Sequence, residues 1–266
     1  MKRLLDIIVL LLIASVARAQ FLPTPSPQEY ETQDRQGEMF VVDSTTAVFC
    51  YDKRLNKYAD LMRAEILALT SHDVSQLTKK TAQKAIILLL DPMIPLNDHG
   101  YWINTAPGRV ILSAPTEEGL LYAIYSWFQL EDAVHEDSTI QTQFININDE
   151  PQNLQRVYNL STTPSEAMMD IASLAFLKFN VININTPITE ELDKLAKNLK
   201  IELVFKEDLQ ADSLSPVESA ERQWCLPYLI DESTLQKRIH LLESHYYKKI
   251  ISTIILEINQ KWQKTK

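Results

Sequence analysis

The 266-residue sequence holds only 4 glycines, well below the roughly 7% of an average chain. Phosphate-cradling loops draw on glycine for positive φ and for close backbone approach. Neither a glycine-rich dinucleotide fingerprint nor a Walker sequence occurs, so nucleotide-dependent chemistry is not expected and no cofactor is implied. Positive charge is also short: 26 Lys and Arg stand against 35 Asp and Glu, a net charge of -9. An acidic surface repels phosphate, which argues against nucleic acid as a partner. Cysteine is limited to Cys50 and Cys225, far apart in sequence. Neither stands near a second Cys or a His at metal-ligand spacing, so no metal site is expected. Two readings stay open for the pair, a long-range disulfide in an oxidising compartment and two isolated buried thiols. The 5 histidines are scattered, and His240 and His245 miss the i, i+4 spacing that shares one metal.

What is present is a globular composition. Hydrophobic residues make up 45% of the chain and charged residues 23%, enough apolar side chain for a core. Lys2 and Arg3 precede an apolar stretch from Leu4 to Val16, and Ala17-Arg18-Ala19 supplies a small-x-small cleavage pattern. That is the layout of a secretory signal cut after Ala19. The stretch is short for a membrane span, which needs about 20 apolar residues; an uncleaved anchor is the rival reading. No later segment is long and apolar enough to span. The expected mature chain is therefore soluble, periplasmic or extracellular, and starts near Gln20.

Pro23, Pro25 and Pro27 mark an extended leader. Met39–Val42 and Ala47–Cys50 read as strands, and Leu55–Leu69 as a helix with apolar residues on one face. The run AIILLL over Ala85–Leu90 suggests a strand buried on both faces. Tyr101–Asn104 and Arg109–Ser113 predict a hairpin around Pro107-Gly108. Thr116 can cap a helix striped by Leu120, Ala123, Ile124, Trp127 and Phe128. Phe144–Ile147 is the last strand before Asp149-Glu150-Pro151, which looks like a domain boundary. Beyond it, Gln155–Leu160, Val181–Asn185 and Ile201–Phe205 read as strands alternating with two helices, the grammar of parallel βαβ units. Thr163-Pro164-Ser165-Glu166 predicts a capping box at the first helix and Thr189 opens the second. Residues 206–232 are polar and irregular. Residues 233–262 keep Leu235, Ile239, Leu242, Tyr246, Ile251, Ile255, Ile258 and Trp262 at helical spacing, and no internal repeat is apparent.

Residues 21–150 resemble the small domain that precedes the barrel in family 20 glycoside hydrolases, the bacterial β-N-acetylhexosaminidases. The stretch GYWINTAPGRVILSAPTEEGLLYAIYSWFQL carries the likeness, with Gly119, Leu120, Tyr122, Ala123, Gln129 and Leu130 matching the family's helix. The following half resembles the start of the family's catalytic (β/α)8 barrel. Arg156 stands at the opening arginine, and Lys178 and Asn180 match a Lys-x-Asn marker. Asn183 and Asn185 stand where the family has a His-x-His pair, and Ser161 and Pro164 replace its Asp-x-x-Arg. Ile201, Glu202 and Asp208 fit a later marker, whereas Phe205 and Lys206 replace its Pro and Glu. The adjacent Asp-Glu catalytic pair is absent, and the roughly 110 residues after Pro151 fall short of the about 250 of a whole barrel.

The resulting expectation is an α/β chain. Residues 1–19 form a signal peptide and 20–150 an α+β front domain with a mixed sheet and packed helices. Residues 151–210 form a partial βαβαβ fragment of a (β/α)8-like barrel, and 211–266 a linker and long C-terminal helix. No catalytic residue is assigned. Asp149-Glu150, Glu207-Asp208 and Asp231-Glu232 read as solvated loop charge. The weak substrate-binding candidates are Arg156, for its five fixed donors; Asn183 and Asn185, which share a strand face; Asp208; and Trp224, a loop indole able to stack on sugar. The other reading of Arg156 is a structural ion pair at a strand end. Function is expected to be accessory: binding a glycan or a glycan-processing partner. An active hydrolase of terminal N-acetylhexosamine and a structural periplasmic protein are the alternatives.

Overall fold

The chain is described here by a computed structural model covering residues 23, 26–33, 38–70, 72–130, 140–164 and 166–209. Six short strands build its larger sheet: β1 (Glu29–Thr32), β3 (Thr46–Cys50), β4 (Lys84–Leu90), β5 (Tyr101–Ala106), β6 (Arg109–Ala114) and β8 (Ile145–Asp149). Their order is β1-β8-β5-β6-β4-β3. β4 runs parallel to both of its neighbours, while β1, β8, β5 and β6 pair antiparallel. The expected hairpin is β5–β6, and its turn places Gly108 at φ 72, a backbone region that glycine enters without steric cost. Strands β2 (Met39–Val42) and β7 (Ile140–Gln143) form a separate antiparallel pair.

Helices α1 (Asn56–Thr70) and α2 (Glu117–Leu130) pack on one face of the six-stranded sheet. Thr116 caps α2 as expected, its Oγ1 accepting from Gly119 N at 3.0 Å. The core joins Val48, Ile86, Leu88, Ile103, Val110 and Leu112 from the sheet to Met62, Ile66, Leu120 and Ile124 from the helices. Every α2 residue from Gly119 to Gln129 is buried, as expected of a helix that is apolar nearly all round.

The second sheet is parallel, with β10 (Val181–Ile184) between β9 (Val157–Leu160) and β11 (Glu202–Phe205). Helices α3 (Ala167–Phe176) and α4 (Glu190–Asn198) connect the strands, which gives the anticipated βαβαβ order. Thr189 caps α4 through Leu192 N at 3.2 Å. Both helices end alike. Phe179 N donates to Leu174 O at 3.0 Å and Lys178 N to Ala175 O at 2.8 Å; Ile201 N donates to Ala196 O at 2.8 Å and Lys200 N to Lys197 O at 3.3 Å. These are Schellman closures, with Lys178 at φ 64 and Lys200 at φ 60 in place of the usual glycine.

Several expectations need correction. β1 and β7, EYET and IQTQ, were not visible in the pattern, because polar strands with weak apolar alternation leave little periodic signal. The run AIILLL is buried on one face only: Ile86 and Leu88 are buried, whereas Leu89 is exposed, because both helices sit on the same side. Helix α3 begins at Ala167, and Thr163 Oγ1 donates to Glu166 Oε2 at 2.7 Å. Asp149 is buried at the end of β8, and Glu150 Oε1 accepts from Asn97 N at 2.8 Å, so this pair is not solvated loop charge.

Packing continues across residues 150–151. The Tyr125 ring lies 5.6 Å from that of Phe176, and Gln129 Nε2 donates to Phe176 O at 2.7 Å. Helix α2 thus lies against both the six-stranded sheet and the first βα unit.

Candidate functional site

Two polar clusters arise at opposite ends of the parallel sheet. The first lies at the strand starts, in the seam beside α2. Arg156 immediately precedes β9 and is 2% exposed. Its Nη1 donates to Asn153 O at 2.8 Å and its Nε to Lys178 O. Its guanidinium carbon lies 4.9 Å from the centre of the Tyr122 ring. Tyr122 donates to Glu118 Oε1 at 2.6 Å, and His99 Nε2 meets the same oxygen at 3.2 Å. Burial lowers the His99 pKa, the Arg156 charge pushes the same way, and the Glu118 carboxylate opposes both.

The amine of Lys178, itself 1% exposed, donates to Tyr101 Oη at 3.2 Å. Tyr101 Oη in turn shares a 2.7 Å hydrogen bond with Ser126 Oγ. Burial pushes the Lys178 amine down to about 7, against the attraction of Asp149 and with the help of Arg156. A lysine taken out of water favours its neutral form in this way.

The second cluster lies at the strand ends, where (β/α)8 barrels place their chemistry. Asn159 and Asn183 are partners in register on β9 and β10, and Asn183 Nδ2 donates to Asn159 Oδ1 at 2.7 Å. One step beyond the strands, Asn185 Nδ2 donates to Ser161 Oγ at 3.1 Å and Asn185 Oδ1 accepts from Thr162 N at 3.2 Å. Thr186 Oγ1 donates to Thr162 O, and Thr162 Oγ1 donates to the Asp170 carboxylate. Burial raises the Asp170 carboxyl above the usual range, while the Thr162 bond acts against it. Such an array offers neutral donors and acceptors, suited to hydroxyl and amide groups.

The sequence-derived candidates therefore separate. Asn183 and Asn185 share a face as expected, the first buried and the second exposed. Asp208 is exposed after β11, near neither asparagine by any hydrogen bond described. Arg156 belongs to the seam at the other end of the strands. Trp224 lies outside the described residues, as do Cys225 and Asp231-Glu232. Cys50 Sγ donates to Asn56 Oδ1 at 3.2 Å. Asn159 had not been singled out, although Val157-Tyr158-Asn159 and Val181-Ile182-Asn183 repeat a Val-x-Asn phase. Among the described residues no group of His, Cys, Asp and Glu could hold a metal ion, and no helix is long and apolar enough to cross a membrane.

The mixed sheet with its two helices on one face, followed by parallel βα units, has known counterparts. The profile of glycosyl hydrolase family 20, domain 2, matches residues 24–149. The front of the chain resembles a family 20 domain. The fold agrees with that of the family 20 exo β-N-acetylglucosaminidase from Vibrio harveyi in complex with N-acetylglucosamine, at 16% identity and TM-score 0.58, covering 71% of this chain and 36% of that one. The family 20 β-N-acetylhexosaminidase from Streptomyces coelicolor A3(2) gives 17% identity and TM-score 0.56, covering 69% and 45%. The N-acetyl-β-hexosaminidase from Streptomyces plicatus gives 14% and 0.56, covering 70% and 46%. The chain thus spans less than half the length of these structures. No curated protein sequence matches it. Within this front domain, Gly119 has a steric reason: a Cβ there would lie 2.3 Å from the carbonyl oxygen of Gly100.

Proposed function

We propose that this is an exported accessory protein related to the β-N-acetylhexosaminidases, which binds glycan without cleaving it. The observation that carries the reading is the make-up of the strand ends. Where a hexosaminidase-like site would need a carboxyl acid beside a second carboxylate, β9 and β10 present Asn159, Ser161, Asn183 and Asn185 bonded to one another. Side-chain amides supply two donors and one acceptor oxygen each, which suits sugar hydroxyls and acetamido groups. Asp170 is held by Thr162, and Asp208 stands in solvent. Export follows from the signal-like residues 1–19.

The test is hydrolysis of a chromogenic N-acetylglucosaminide by the full chain beside Asp208→Asn. Absence of turnover, together with saturable binding of N-acetylglucosamine oligomers that Asn185→Ala weakens, is the expected result. Turnover that falls in Asp208→Asn would overturn the non-catalytic reading. Export is checked by N-terminal sequencing of the mature protein, which should begin at Gln20.

A further inference from the structure

Both helices of the front domain pack on one face of the six-stranded sheet, and the alternation of burial leaves the opposite face turned to solvent. That face is built of hydrogen-bonded rungs. In the first, Trp102 lies opposite Asn148 in register, and Asn148 opposite Glu29. Trp102 Nε1 donates to Asn148 Oδ1 at 2.9 Å, and Asn148 Nδ2 donates to Glu29 Oε2 at 3.0 Å. The indole is 38% exposed, so one aromatic surface is held by its N–H yet open to water. In the next rung Asn104 Nδ2 donates to Asn146 Oδ1, and Glu31 stands opposite Asn146. Both rungs thus run from the sheet centre to a carboxylate on the edge strand β1. On the other side of Trp102 lie Ser113, its register partner, and the exposed Leu89.

We infer that this face is a second binding surface, centred on Trp102, for an amine-bearing glycan. Three features match that ligand. A fixed, half-open indole offers a platform for the apolar C–H face of a sugar ring and attracts a nearby cation. The amides of Asn104, Asn146 and Asn148 lie in line with it to meet ring hydroxyls. Charge complementarity decides the class: Glu29 and Glu31 terminate the rungs, while the basic Arg109 stands four residues along β6 from Ser113, the partner of Trp102. The surface selects protonated amines over sulfated or carboxylated sugars. It is separate from the strand ends of β9 and β10, so it stands or falls independently of the reading given for them.

Calorimetric titration of the full chain with glucosamine hexamer tests it, with the fully N-acetylated hexamer as the uncharged comparison. Saturable binding of the amine form is expected, weaker by roughly tenfold in Trp102→Ala and by about threefold in Glu29→Gln, the scale of one stacking and one cation contact. Trp102→Phe keeps a ring and should retain most of the affinity, which separates stacking from misfolding. Glu191→Gln, an exposed carboxylate on α4, should change nothing. The inference is overturned by absence of saturable binding at millimolar hexamer. It is equally overturned by undiminished binding in Trp102→Ala, or by equal losses in Glu29→Gln and Glu191→Gln, which would mark attraction to net charge alone.

Discussion

The amine of Lys178 reaches the hydroxyl of Tyr101 at 3.2 Å, across 77 residues of sequence. Tyr101 belongs to the front domain and Lys178 to the first βα unit, and both are shielded from water. The seam between them therefore contains a titratable group whose charge state is tied to packing.

Stability should rise with pH through this group. Burial puts the folded pKa of Lys178 at about 7, below the roughly 10.4 of an unfolded lysine. Below pH 7 both states hold the proton and the gain is absent. Above it the unfolded chain binds the extra proton, so unfolding becomes harder as pH increases toward 10. Tyr101, whose hydroxyl is raised by burial, reverses the trend once unfolded tyrosine ionises near 10. Thermal midpoints between pH 7 and 9.5 should climb in the native chain and flatten in Lys178→Met.

Arg156→Ala should cost about 2–4 kcal/mol. The side chain supplies donors to Asn153 O and Lys178 O and covers Tyr122; its loss leaves buried carbonyls unmet and a void. Urea unfolding measures the loss. Arg156→Lys should recover less than half, because one ammonium cannot reproduce the planar fork.

Gly119→Ala should destabilise by roughly 2 kcal/mol, although alanine is the better helix former by about 1 kcal/mol. The added Cβ would meet the Gly100 carbonyl oxygen at 2.3 Å and the Ala114 Cβ at 3.1 Å, and backbone has little room to yield. A lowered urea midpoint with unchanged m-value would mark that cost. A raised midpoint would show that the helix start can shift.

Lys200→Gly should stabilise by about 0.5–1 kcal/mol. The left-handed backbone at φ 60 strains any residue with a Cβ, and the position is a helix closure that glycine fills readily. Lys200→Val should lower the midpoint instead, since a β-branched residue tolerates this region least.

Much of this architecture was legible because its signals are local. The β5–β6 hairpin follows from Pro107-Gly108, α2 from Thr116 and its apolar stripe, and the βαβαβ order from the alternation after Pro151. The strands that escaped detection, EYET and IQTQ, are defined by their partners: Glu29–Thr32 becomes β1 by pairing with Ile145–Asn148, a contact no local pattern encodes. The same holds for the polar clusters. Asn183 and Asn185 were visible as residues of one strand face. Asn159 acquires meaning only once parallel register sets it opposite Asn183. Arg156 was named from the likeness, but its role depended on which end of the strand it occupies, and only the packing against Tyr122 fixes that. Scarcity of glycine does not keep this chain out of positive φ: Lys178 and Lys200 occupy that region at two helix ends.

The pairing of β1 with β8 has a mechanical consequence. Glu29 lies opposite Asn148, and Gln28 N meets Asp149 Oδ1 at 3.3 Å, so the chain enters and leaves the front domain at the same end of one antiparallel ladder. Tension applied between residue 26 and residue 150 would not load that ladder all at once. It would part the rungs in succession, beginning with Gln28 and Glu29, as a zip opens from its slider. The domain should yield to pulling in this direction at far lower force than a sheet loaded in shear, and β1 should be the first strand to peel away.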